Sequence, residues 1–130
     1  MRRGSPGDAE GSTPLLTIQK KALDSGVVLL EVSGTLTMGR DCQQVEWQID
    51  DLVSAKQVKV VLDASSLKQI DSTGIGIVVM CSGKLKKAGG ELRLAGASGM
   101  VENVLKMTNI DSIVKSYPTV AAAVKSFAGS

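Results

Sequence analysis

The residues best suited to chemistry lie in Lys68 to Val79 (KQIDSTGIGIVV), where Asp71, Ser72 and Thr73 follow one another just ahead of an apolar run. All three are types favoured at a helix N-cap, and one cap is enough to start a helix. The surplus hydroxyls fall where backbone N–H groups and the helix dipole suit a negative group. A phosphate ester formed on one of them would therefore be electrostatically supported. On residue types alone, a well-capped turn with no further role is the simpler account. Other chemistries are excluded more firmly. The chain contains no histidine, which removes Ser-His-Asp and Cys-His catalysis and every histidine-bearing zinc site. Gly74 and Gly76 lack the third glycine of a dinucleotide loop, and Gly83-Lys84 has neither the following hydroxyl nor the spaced glycine of a phosphate loop. No cofactor and no metal site is expected.

The helix that follows the hydroxyls has an unusual outer face. With Val78 at the centre of the inward side, Gly74, Ile75, Cys81, Ser82 and Leu85 point in, while Gly76, Met80, Gly83 and Lys87 point out. A solvated face normally carries long polar side chains, and each interior glycine costs roughly 1 kcal/mol relative to alanine. Either another protein approaches the helix closely here or a loop of the same chain covers it. Lys84, Lys86 and Lys87 read as the solvated end of the helix, or as a patch for an acidic partner. Trp47 lies off the apolar side of its own helix, where a ring packed at a loop is a simpler account than a binding hot spot.

The elements that must hold these residues follow from periodicity. The 130 residues, 43% of them hydrophobic, suffice for one core. The formal charge of +2 gives no reason to expect direct nucleic-acid binding. Residues 1–14 are rich in Gly, Ser and Pro and read as a flexible tail ahead of a domain over 15–130. Leu15 to Lys21 and Val27 to Ser33 alternate around a turn at Asp24, Ser25 and Gly26, a hairpin. Cys42, Val45, Ile49, Leu52 and Val53 have helical spacing, with Asp41 as the expected N-cap. Val58 to Leu62 is a β-branched run suited to a strand covered on both faces. A second helix runs from about Thr73 to Ala88 and stops at Gly89-Gly90. A strand at Glu91 to Ala95, a helix over Gly99 to Met107 with Met100, Val101, Val104 and Leu105 inward, a strand at Ile113 to Tyr117, and a helix opened by Pro118 with Val120, Val124 and Phe127 inward complete the chain. This order predicts a single α/β domain: a mixed, mostly parallel sheet of about five strands, with four helices mainly on one face. Nothing resembles a secretory signal, and no apolar run approaches the roughly 20 residues of a membrane span. Cys42 and Cys81 read as reduced thiols of a soluble, cytoplasmic protein.

VKVVLDAS followed by IDSTGIGIVV, with GTLT after the second strand and GGELRLAG after the second helix, resembles the STAS domain of anti-sigma factor antagonists over Leu15 to Phe127. The resemblance implies a non-enzymatic interaction module. In the family, the first hydroxyl of the Asp-Ser-Thr-Gly turn is phosphorylated by an anti-sigma factor that is itself a serine kinase, which maps onto Ser72. Asp71, Thr73 and Gly74 form the turn around it. The unmodified antagonist holds the kinase and frees the sigma factor, and the phosphorylated form lets go. Gly76, Met80, Gly83 and Thr37 are the implied partner contacts, Thr37 standing where the best-studied members usually carry an Asp. Two alternatives remain: a STAS-type subunit of a signalling scaffold or membrane transport system without the switch, and a small phosphotransferase with Asp71 or Asp63 as acceptor. The absence of histidine and of a metal-ligand cluster argues against the phosphotransferase.

Overall fold

A computed structural model describes residues 16–23, 25–38 and 42–128. The expected tail, Asp24 of the hairpin turn and the expected cap Asp41 lie outside the described residues. Strand β1 (Leu16–Ala22) pairs antiparallel with β2 (Val28–Leu36), followed by α1 (Gln43–Ser54), β3 (Lys59–Ile70), α2 (Ser72–Lys87), β4 (Glu91–Ala95), α3 (Gly99–Met107), a 3-10 turn (Ile110–Ser112), β5 (Ser116–Tyr117) and α4 (Val120–Ala128). The sheet order is β1-β2-β3-β4-β5, and every pair after the first is parallel. The mixed sheet with one antiparallel edge strand is the architecture expected from the alternation of strand and helix.

Alternation along the central strands divides the core between two faces. Val60 and Leu62 join Leu30, Val45, Ile49, Val78, Leu85 and Leu105 beneath α1, α2 and α3. Val61 packs with Leu29, Ala123 and Phe127 beneath α4. Val60 to Leu62 are thus buried from both sides, as the β-branched run implies, while Val58 is partly buried and Lys59 at the strand start is exposed. Beyond α4 the second face is open near β1 and β2, where Thr17, Gln19, Glu31, Ser33 and Asp63 border a polar depression of about 320 Å³.

Strand β3 is longer than its apolar run, and the reason is a change of period. Between the pairs Glu31↔Asp63 and Ser33↔Ser66, two steps along β2 match three along β3, and the same slip recurs between Gly34↔Leu67 and Thr35↔Gln69. These bulges bury Ala64, Leu67 and Ile70 at intervals of three, which hides the strand from a search for period two. The slips carry β3 past the last residue of β4 and place its end beside the end of β2.

Other boundaries differ from expectation. The last strand holds only Ser116 and Tyr117, because Ile110 to Ser112 coil into a 3-10 turn and Ile113 is 47% exposed. Pro118 precedes α4 rather than opening it. Thr119 caps that helix, its hydroxyl oxygen accepting from the Ala122 N–H. Ala123 and Phe127 form the buried side, with Val120 and Val124 only partly covered. On α3, Val101 and Leu105 face in, whereas Met100 is exposed. Cys42 precedes α1 in helical conformation with no side-chain cap bond. Trp47 is 58% exposed on the outside of α1 rather than packed. Both cysteines are buried, and burial pushes the Cys81 thiol up to about 12. No described helix is long and apolar enough to cross a membrane.

Candidate functional site

The Asp-Ser-Thr-Gly turn joins the end of β3 to the start of α2, and of its three capping candidates only Asp71 acts as the cap. Its backbone is extended (φ −119°, ψ −173°), and its Oδ1 accepts the Gly74 N–H at 2.9 Å. The other carboxylate oxygen reaches across the fold: Oδ2 accepts the Met38 N–H, also at 2.9 Å. The Asp71 N–H donates in turn to the Leu36 carbonyl at 3.3 Å. Thr37 therefore lies between two backbone groups that are both tied to Asp71. The N–H groups of Met38 and then Gly74 hold the Asp71 carboxyl below its ordinary range.

Gly74 makes this approach of β2 to α2 possible. A Cβ built on it would stand 2.1 Å from the Leu36 carbonyl oxygen and 2.8 Å from Ile70 Cγ1. No side chain larger than hydrogen fits unless the backbone separates. Ser72, freed from capping, is the first residue of α2 and is exposed, with Thr73 half-buried behind it. A hydroxyl so placed points at no structural task, and the α2 N-terminus beside it favours added negative charge.

The two faces of α2 sort as their spacing predicts, with Ile77 added to the buried side and Ile75 only half-covered. Gly76, Met80, Gly83 and Lys87 are exposed. A Cβ at Gly76 or Gly83 would meet nothing within 4 Å, and Met80 is 43% exposed. Among the described residues, no loop of the chain covers this face. The basic cluster is more structural than expected. Lys84 leaves the solvated end of α2 to bond Glu46 Oε2 and Asp50 Oδ1 of α1, each at 2.7 Å. The two carboxylates raise its ammonium well above the usual lysine range. Asp63 belongs to the polar depression on the far sheet face and accepts the Ser65 N–H. No group of three or more metal-ligating side chains gathers among the described residues.

Sequence reasoning missed Met38, which is 75% exposed while its backbone is bound to the turn. A single methionine after a strand carries no periodic signal. Only the 33-residue reach of the Asp71 contact reveals it.

The sequence matches the family described as the STAS domain over residues 19–123. A Thermotoga neapolitana protein named as an anti-sigma factor antagonist homologue is 32% identical over 84 residues, 65% of this chain and 74% of that one. The anti-sigma F factor antagonist of Paenibacillus polymyxa is 26% identical over 93 residues, 71% of this chain and 79% of that one. Among solved structures, a Thermotoga maritima protein of the same description superposes with a TM-score of 0.76 at 29% identity, covering 84% of this chain and 92% of that chain. Unphosphorylated SpoIIAA, an anti-sigma factor antagonist, shares the fold at 19% identity with a TM-score of 0.67, covering 88% of this chain and 98% of that chain.

Proposed function

The chain belongs to the STAS domain family, and we propose that it is a non-enzymatic anti-sigma factor antagonist of the cytoplasm, switched off by phosphorylation of Ser72. In its unmodified form it docks an anti-sigma factor that is also a serine kinase, and the sigma factor is set free. The observation that carries this reading is the exposed Ser72 hydroxyl, unused as a cap, beside the uncovered Gly76-Met80-Gly83 face of α2. Glycines at 76 and 83 let a partner backbone approach, and Met80 supplies an adaptable apolar contact. The relatives named as anti-sigma factor antagonists support the same role.

Phosphate would act at the interface. The α2 start accommodates a charge of about −2 in the free protein, whereas a partner packed over Ser72 has to bury that charge unpaired. The Ser72→Asp variant is expected to weaken the complex by about 2 kcal/mol or more, and Ser72→Ala to bind nearly as the parent.

Purification of the tagged chain from its own cells, followed by ATP labelling of the eluate and fragmentation mass spectrometry, tests the reading. The expected result is a serine kinase that modifies Ser72, is retained by Ser72→Ala and is lost from Gly76→Arg. Labelling that persists in Ser72→Ala, or an eluate holding scaffold or transporter components and no kinase, refutes it.

A further inference from the structure

Met38 and Asp71 form a unit that capping does not require. A carboxylate needs only one oxygen to cap a helix, and Asp71 gives Oδ1 to the Gly74 N–H. Its second oxygen, one residue before Ser72 in sequence, holds the Met38 N–H at 2.9 Å across 33 residues of chain. The Leu36 carbonyl accepts the Asp71 N–H, so the residues after β2 are held from two points. What this anchoring displays is a methionine side chain 75% exposed to water. Met80, the apolar group already assigned to the docking face, lies two turns along α2 from Ser72, about 12 Å down the axis. Met38 is attached directly to the turn.

We propose that Asp71 is a positioning residue that ties the end of β2 to the start of α2 and thereby presents Met38 as a second anchor for the anti-sigma factor, beside Ser72. The inference rests on the function proposed above and adds a partner requirement: an apolar socket beside the surface that receives Ser72. Fixing the backbone beforehand removes part of the ordering cost of burying a flexible side chain on binding. The same tether couples the contact to the modification. A phosphate on Ser72 would stand next to the Asp71 carboxylate, so the added charge falls beside the Met38 contact as well as at Ser72 itself.

Asp71→Asn separates the two jobs. The asparagine oxygen can still accept the Gly74 N–H and cap the helix, but its amide nitrogen then faces the Met38 N–H, donor against donor. Amide exchange by NMR should speed up at Met38 by about tenfold or more while Gly74 keeps its protection. Calorimetric titration with the kinase purified alongside the chain should show binding weakened about tenfold by Asp71→Asn and by Met38→Ala, an exposed position at which folding is not at stake. Thermal melting of Met38→Ala should match the parent. Unchanged Met38 exchange in Asp71→Asn overturns the tether, and parental affinity of Met38→Ala overturns the anchor. If Gly76→Arg abolishes binding while Met38→Ala binds normally, only this inference falls. If Gly76→Arg and Ser72→Asp also bind normally, the functional reading falls with it.

Discussion

Gly74 and Gly76 stand two residues apart in the same helix, and alanine at each should move stability in opposite directions. At Gly76 the added methyl meets nothing within 4 Å, so only the backbone effect operates. Replacing an exposed helical glycine by alanine is worth about 0.5–1 kcal/mol in favour of folding. At Gly74 the same methyl would sit 2.1 Å from the Leu36 carbonyl oxygen, against the 3.4 Å at which ordinary contact begins. The end of β2 and the first turn of α2 must therefore part by about 1.3 Å. The obstacle is backbone, so no side chain can rotate away. Overpacking of this kind costs about 1–3 kcal/mol, and the separation strains the two Asp71 bonds that bridge the same gap, of which the Met38 N–H bond to the carboxylate is worth about 1.5 kcal/mol or more and the backbone bond to Leu36 about 1 kcal/mol. The propensity gain of at most about 1 kcal/mol offsets part of this, leaving Gly74→Ala destabilised by about 2–4 kcal/mol. Urea unfolding followed by far-UV circular dichroism measures both variants, and in thermal melts each kcal/mol should appear as about 4 °C. A Gly74→Ala protein as stable as the parent, or two variants shifted in the same direction, would refute the close approach of β2 to α2.

Three further outcomes follow from the same packing. The Ser82 hydroxyl is buried with no hydrogen-bond partner among the described residues, so Ser82→Ala should raise stability by about 1 kcal/mol in urea unfolding. Arg93, 4% exposed, bonds Glu91 and Ser126 and lies 4.1 Å over the Phe127 ring. Arg93→Ala leaves that pair broken beneath α4 and should cost about 3 kcal/mol, visible as a lower urea midpoint. Because the folded Asp71 carboxyl titrates below its unfolded value, it favours folding above about pH 4, and that contribution disappears as the pH falls through its lowered folded value. Acid titration of stability should therefore be flatter between about pH 5 and pH 2 for Asp71→Asn than for the parent.

Much of this molecule is written in its local sequence. The hairpin, the α1 stripe of Val45, Ile49 and Leu52, the doubly buried Val60 to Leu62 and the stop of α2 at Gly89, whose φ is +90°, all follow from side-chain period and glycine freedom, which act within a few residues. The Asp-Ser-Thr-Gly turn and the small outer face of α2 were legible for the same reason. What the sequence could not announce are contacts between distant segments. The two bulges that lengthen β3 exist only against β2, and Lys84 becomes an α1–α2 bridge only once Glu46 and Asp50 face it. Which of three capping residues takes the cap was decided by the backbone arriving from β2. Asp71 alone satisfies the Gly74 and Met38 N–H groups together, which leaves Ser72 exposed. Propensity is a property of one residue and its neighbours, whereas a hydrogen bond across 33 residues depends on how the whole sheet brings two strand ends together.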